Sequence, residues 1–329
     1  MSLVNFSIDA KEEVWPLKNV FRISRGSRTE TRVVVVTVRD GTHIGRGEAV
    51  PIKRYDQTID CVLAQIESVK TATPLHRHRL QQVLPAGAAR NALDCALWDL
   101  EAKISGKRVW ELANIPIVPE VETSFTISLD SPEKMAAAAR AAAKSPILKL
   151  KLGGDDVDLA RVEAVRERAL AARLLIDANE SWSPDHYQKI VPALKRLRVD
   201  LIEQPFPANA DDVLEELDHP VPVCADESCH TRADLPRLKN LYDAINVKLD
   251  KTGGLTEALV LAAHARASGF KLLIGCMVGT SLGMAPARIL ASADDYVDLD
   301  GPLLLARDRE HGLPYQNGRI GIPARELWG

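Results

Sequence analysis

From Pro119 onward the chain alternates short apolar runs with amphipathic, alanine-rich segments, and it does so eight times. The runs are 123–129, 147–151, 174–177, 199–203, 221–226, 244–248, 271–275 and 296–300. Between them, Ser131-Pro132 and Ser183-Pro184 each set a capping serine before a proline at the first helical position. Strand and helix alternating eight times predict an α/β fold, a parallel (β/α)8-type barrel with its helices outside.

The two ends of the chain do not share this alternation. Phe21–Ser24, Thr31–Arg39 and Ile44–Ala49 read as strands, with Asp40-Gly41 as a turn. Residues 59–69 and 88–105 carry apolar residues at helical spacing, as in Leu93, Ala96, Leu97, Leu100 and Ile104. Residues 1–118 therefore read as an α+β capping domain and 119–304 as the barrel. The turn-rich 305–329 segment is expected to pack back on the cap.

Composition removes several classes of function. Basic residues number 42 against 45 acidic, a net charge of −3, so nucleic acid is not an expected partner. Apolar stretches such as 33–36 and 258–263 fall far short of the roughly 18 residues that span a bilayer, so no membrane partner is expected either. Met1–Asp9 lacks the basic-then-apolar pattern of an export signal, which points to the cytoplasm. The five cysteines form no Cys-x-x-Cys pair and read as buried free thiols. The sequence leaves a homo-oligomer open.

The residues that close the runs carry the chemistry. Lys149, Asp177, Glu203, Asp226 and Lys248 follow one another at intervals of 28, 26, 23 and 22 residues, one βα unit each. A charge thus recurs at the C-terminal mouth of the barrel, where active sites are built. Asp177 alone reads equally well as a helix cap or a solvated loop charge. Three carboxylates on successive strands would repel strongly unless a hard divalent cation sat among them, and an all-oxygen donor set favours Mg²⁺.

Lys149 and Lys151 lie two apart on the second barrel strand and so share a face. Their mutual repulsion and burial are expected to lower at least one pKa towards neutrality, although pairing of Lys149 with a carboxylate is an equal alternative. Lys248 ends the sixth strand, diametrically opposite the second in an eight-stranded barrel. A substrate at the centre would meet an amine on each face. Lys251 reads as solvated or as a support to its neighbours. Asp298 and Asp300, opposite the carboxylates, read as a clamp for a positive group on the substrate, or as partners of the mouth lysines or caps of the following turn.

These segments together resemble the enolase superfamily. Lys149-Leu-Lys151, Asp177-Ala-Asn-Glu-Ser-Trp182, Glu203-Gln-Pro205, Ala225-Asp-Glu-Ser228 and Asn246 to Gly254 are similar in order and spacing to its muconate-lactonizing subgroup, and most of all to dipeptide epimerases of the L-Ala-D/L-Glu type. The resemblance implies Asp177, Glu203 and Asp226 as Mg²⁺ ligands, Lys151 and Lys248 as the acid/base pair, and Lys149 as the neighbour that tunes Lys151. It makes Asp298 and Asp300 the clamp on a dipeptide's α-ammonium. It also implies that Arg25, with Arg28 as substitute, meets a glutamate side chain, and that Thr126 touches substrate. Gly275–Ser281 holds no histidine, against the mandelate-racemase-like subgroup. Glu180 departs from the neutral residue expected there and would alter the charge around Asp177.

The implied activity is Mg²⁺-dependent epimerisation at the C-terminal residue of a small dipeptide, L-Ala-D-Glu and L-Ala-L-Glu, by two-base 1,1-proton transfer, which connects the chain to murein peptides. The alternatives are a lyase or cycloisomerase on the same barrel, such as an o-succinylbenzoate synthase or muconate cycloisomerase, and a catalytically inert binding protein. Neither lyase nor cycloisomerase substrates carry an ammonium for the strand-eight aspartates.

Overall fold

The computed structural model describes residues 6–70 and 75–329; the first five residues of the segment read for an export signal lie outside that range. The cap opens with an antiparallel sheet of β1 (Ser7–Ile23), β2 (Gly26–Asp40) and β3 (His43–Ala49) in that order. Only the last residues of β1 are legible in the sequence, because most of the strand is an edge with its side chains in solvent. Helices Ile59–Val69 and Ala88–Ser105 occupy the expected positions, and a further one, Arg77–Val83, carries too few residues to show a period. The long helix lies directly on β3. A Cβ added to Gly45 or Gly47 would stand 2.1 Å from the carbonyl oxygens of Ala96 and Ala92, so only glycine lets these backbones meet.

After β4 (Glu120–Glu122) come the eight parallel barrel strands: β5 (Ser124–Ile127), β6 (Ile147–Lys151), β7 (Arg173–Asp177), β8 (Val199–Glu203), β9 (Val223–Ala225), β10 (Ala244–Val247), β11 (Lys271–Gly275) and β12 (Tyr296–Asp298), hydrogen-bonded in sequence order. The outer layer is less regular than eight equal units imply. A 3₁₀ turn, Asp212–Glu216, follows β8, and the helices after β9 and β12 span only Leu235–Leu238 and Gly301–Leu304.

Inward-facing residues change character along the strands. Ile147, Leu175, Leu201, Cys224, Ala244, Leu273 and Tyr296 form one apolar cluster. Two residues further along, on the same faces, stand Lys149, Asp177, Glu203, Asp226, Asn246, Gly275 and Asp298. The barrel therefore has a greasy floor and a charged mouth.

The seam between β12 and β5 is closed by side chains. Thr123 Oγ1 accepts from Leu299 N at 3.0 Å, Ser124 Oγ donates to Asp298 Oδ1 at 2.5 Å, and Thr126 N donates to Asp300 Oδ2 at 2.6 Å. Finally β13 (Tyr315–Gln316) and β14 (Arg319–Gly321) pair with β4. The last residues then reach the cap: Trp328 Nε1 donates to Cys95 O at 3.0 Å and Gly329 N to Asp99 Oδ1 at 2.7 Å. No helix among the described residues is long and apolar enough to cross a membrane. All five cysteines are free; Cys95, Cys224 and Cys229 are buried, whereas Cys61 is exposed, contrary to expectation.

Candidate active site

Strand register brings the predicted charges together. Lys151 is paired with Asp177 across β6 and β7, and Asp177 with Glu203 across β7 and β8. Lys149, Asp177, Glu203, Asp226 and Lys248 are all buried. A cavity of about 890 Å³ opens above them between barrel and cap, lined by Lys149, Lys151, Lys248, Asp226, Asp298 and Asp300 among others. Thr126, Arg25 and Arg28 also face it.

The anions are not left to repel one another. Lys151 Nζ stands 2.5 Å from Asp177 Oδ2, Lys149 Nζ 2.6 Å from Glu203 Oε2, and Lys248 Nζ 2.5 Å from Asp226 Oδ2. Repulsion among three carboxylates therefore does not by itself require a metal, because the barrel supplies ammonium groups. Consistently, no group of three His, Cys, Asp or Glu close enough to share a metal ion occurs among the described residues as they stand. The donor chemistry nevertheless fits a hard cation. Glu203 Oε2 and Asp226 Oδ1 are buried without a well-formed hydrogen bond, although ammonium groups lie within 2.7 Å of them, and the outer oxygens are held from behind. Asn246 Nδ2 donates to Glu203 Oε1 at 2.7 Å, and the Asn179 amide to Asp177 Oδ1 at 2.9 Å. A Cβ on Gly275 would lie 2.3 Å from Asn246 Oδ1, so that glycine makes room for the orienting amide.

Of the two readings weighed for Lys149, pairing with a carboxylate is the one its surroundings match. Burial works to lower its pKa, but Asp298, Glu203 and Asp177 outweigh it and raise the pKa well above the ordinary lysine value. Lys248 is raised in the same way, against burial, chiefly by Asp226 and Glu203. Reciprocally Asp226 is held well below the usual carboxylate range, burial opposing and Lys248 and Lys251 prevailing. Lys251 is not solvated: it is buried, with Nζ 2.7 Å from Asp226 Oδ1 and donating also to the carbonyl of Asn246 at 3.1 Å.

Asp298 and Asp300 differ from each other. Asp298 has both oxygens engaged, one by Ser124 and the other by Lys149 at 2.6 Å. Asp300 is pushed up to about 7 by burial and by the charge of Asp298, against the pull of Thr126. Pairing with a mouth lysine, the alternative weighed for these aspartates, is thus what Asp298 does.

In the cap, Arg25 sits at the β1–β2 turn with Nη2 2.7 Å from Glu227 Oε1 and Nη1 3.1 Å from Glu180 Oε2. Glu227, next to Asp226, is raised to about 7 by burial and by the charges of Asp226 and Asp177. Arg28 differs: its guanidinium lies 5.3 Å from the Phe21 ring centre, burial lowers its pKa, and no carboxylate among the described residues pairs with it.

Sequence reasoning missed two supporting residues. Asn246 was within reach, since it lies two before Lys248 on the same face. Gln204 was not: at a φ of 38° its side chain turns back, and Oε1 accepts from the Asp226 and Ser228 amides at 2.9 and 3.1 Å. Nothing in a single sequence signals that left-handed residue.

A barrel whose mouth carries lysines on its second and sixth strands and carboxylates on the third to fifth, beneath an α+β cap, is the arrangement of the enolase superfamily, and the chain belongs to it. Residues 6–113 match the mandelate racemase / muconate lactonizing enzyme N-terminal domain and residues 133–326 the enolase C-terminal domain-like family. Among curated relatives, the L-Ala-D/L-Glu epimerase of Escherichia coli K12 is 45% identical over 315 residues, covering 94% of this chain and 98% of that one. An N-acetyl-D-glutamate racemase from a Pseudoalteromonas species is 44% identical over 301 residues, covering 90% and 95%. A crystal structure of an enolase family member from Agrobacterium tumefaciens with homology to dipeptide epimerases, holding sodium and L-Ala-L-Glu, is 49% identical with a TM-score of 0.96 and covers 99% of this chain and all of that one.

Proposed function

We propose that the chain is an isomerase that epimerises dipeptides at the α-carbon of the C-terminal residue, most readily L-Ala-D-Glu and L-Ala-L-Glu, with Mg²⁺ as cofactor, in the cytoplasm. The observation that carries this reading is that Lys151 and Lys248, from strands on opposite sides of the barrel, both face one cavity. One amine removes the α-proton from one face, and the opposite ammonium returns a proton to the other; in reverse they exchange roles. Asp177, Glu203 and Asp226 would hold the cation, which would supply positive charge for the substrate carboxylate. Lys149 stays with Asp298 and Glu203 and keeps positive charge beside Lys151. Relatives support the same reading: solved dipeptide epimerases from Methylococcus capsulatus and Enterococcus faecalis are complexed with Mg and a dipeptide.

For specificity, Arg25 already has two carboxylates of the protein's own, so of the two arginines considered Arg28 is the better placed to meet an acidic substrate side chain. Thr126 stands beside the place of the substrate's amino end through its bond to Asp300.

A second reading, racemisation of N-acylated glutamate, is favoured by Asp298, whose oxygens are both taken by Ser124 and Lys149 and so do not require a substrate ammonium. One experiment tests both. L-Ala-L-Glu and N-acetyl-L-glutamate are incubated separately with protein and Mg²⁺ in D₂O, and the glutamate α-proton is followed by NMR. Exchange with inversion of the dipeptide is expected; exchange of the N-acetyl compound alone would install the second reading, and exchange of neither would overturn both.

A further inference from the structure

We propose that Glu180 is a latch, a positioning residue whose single carboxylate ties two separate cap loops to the barrel mouth and holds the cavity closed over its contents. It lies three residues after Asp177, in the loop that leaves the end of β7. Glu180 Oε2 accepts from Arg25 Nη1 at 3.1 Å and from Arg54 Nε at 3.0 Å; Oε1 accepts from Arg54 Nη2 at 3.0 Å and from the Ala208 amide at 2.9 Å. Four segments thus meet on one side chain: the β1–β2 turn, the 3₁₀ turn Lys53–Tyr55, the loop after β7 and the loop after β8.

The backbone is built for this contact. Asn179 and Glu180 are consecutive non-glycine residues at φ of 46° and 66°, a left-handed conformation that costs energy and persists only where the surroundings impose it. Here Glu180 N donates to Gln204 O at 2.9 Å and Trp182 N to Pro205 O at 2.9 Å, which clamps the loop against the neighbouring strand end. Arg25 Nη1 also donates to Asn179 O at 2.9 Å, so the hairpin grips backbone as well as side chain.

Exposure separates this contact from an ordinary surface ion pair. The Glu180 side chain is only 8% exposed, while Arg25 and Arg54 are 36% and 43% exposed. Barrel and cap arginines together enclose the carboxylate. A lone exposed pair contributes little, but a bidentate arginine within a network holds its geometry more firmly. Burial alone would raise the Glu180 pKa; Arg54 and the Ala208 amide keep it below the ordinary value, so the latch stays charged at neutral pH. Because the tie is made by two arginine side chains of the cap and not by backbone ladders, it can open and close without unfolding either domain.

The inference about turnover rests on the function proposed above; the closure itself does not. Two measurements keep them apart. Limited trypsinolysis without substrate reads closure, since cleavage after Arg25 and Arg54 requires those arginines to leave Glu180. In Glu180→Ala, cleavage at these sites is expected to be at least about tenfold faster than in the wild type, and slowed again in Glu180→Asp. With L-Ala-L-Glu as substrate, Glu180→Ala is expected to raise KM about tenfold with kcat changed less than about threefold. Arg54→Gln, an exposed substitution that leaves the barrel untouched but removes its own cleavage site, is expected to reproduce the KM effect and the faster cleavage after Arg25, and to add little in the double variant. Unchanged cleavage in both single variants would overturn the latch whatever the activity shows. A fall in kcat at constant KM would place Glu180 in the chemistry instead, which also overturns it.

Discussion

The barrel mouth and the cap hold their charged residues by different means. At the mouth, Lys149 is 1% exposed and meets Asp177, Glu203 and Asp298, each positioned by strand register or by a buried hydrogen bond. In the cap, Arg25 and Arg54 hang from a hairpin turn and a short 3₁₀ turn, and their partners belong to the barrel, while Arg28 at the start of β2 has no carboxylate partner among the described residues. Chemistry that needs two amines on opposite faces of one carbon requires the first arrangement, because a misplacement of about 1 Å is costly. Entry and recognition of a substrate require the second.

The largest effect expected from breaking this contrast comes at the mouth. Lys151→Ala and Lys248→Ala should each lose epimerisation by about 10²- to 10⁴-fold. Each should still exchange the α-proton of one epimer with solvent, and a different epimer in the two variants. A variant that inverts at the wild-type rate would break the two-base arrangement. Next, Asp298→Asn removes a charge that Lys149 and a dipeptide ammonium would share. Dipeptide kcat/KM should fall by ~10–100-fold. Equal losses for N-acetyl-L-glutamate would show that Asp298 serves Lys149 and not the ammonium.

In the cap the effects are smaller and selective. Arg28→Met should lower kcat/KM for L-Ala-L-Glu by about tenfold and leave L-Ala-L-Met unchanged; the same loss for both would remove Arg28 from side-chain recognition. Smallest is a pH effect at a tie that resembles the mouth more than the latch. Asp250, buried beside Lys248, accepts from Val50 N and Asn91 Nδ2, both at 2.9 Å, and burial pushes it up to about 7. The folded protein then holds a proton that the unfolded chain releases between roughly pH 4 and pH 7, so stability declines as pH rises through that window and is level above it. Thermal unfolding of Asp250→Asn should show a flatter slope between pH 5 and 7 than the wild type; an unchanged slope would remove Asp250 as its source.

Much of this was legible in the chain. The eight runs became β5 to β12, and the helices 59–69 and 88–105 stand where their apolar spacing put them. Periodicity reports burial, and a barrel strand with an apolar floor is buried throughout. The edge strand β1 escaped because its exposure leaves no alternation to read. At the site, the candidate residues were visible as charges ending apolar runs. Their partners were not. Local sequence left Lys149 open between a pKa lowered by its like-charged neighbour and pairing with a carboxylate; the carboxylates of other strands raise it. Arg25 and Arg28 are three residues apart and chemically identical, and no rule of local sequence says which will find a carboxylate.

What the sequence by itself determined is the repeating unit and the position of its charges, since strand period and the interval between units are local quantities. What only the tertiary structure decided is which charge answers which. Lys149 with Glu203, Arg25 with Glu227 and Arg54 with Glu180 are separated by 54, 202 and 126 residues, and electrostatic pairing depends on distance through space. Closing the barrel and folding the cap over it sets those distances, and with them the charge of Lys149, the pairing of Arg25 and not Arg28, and the latch.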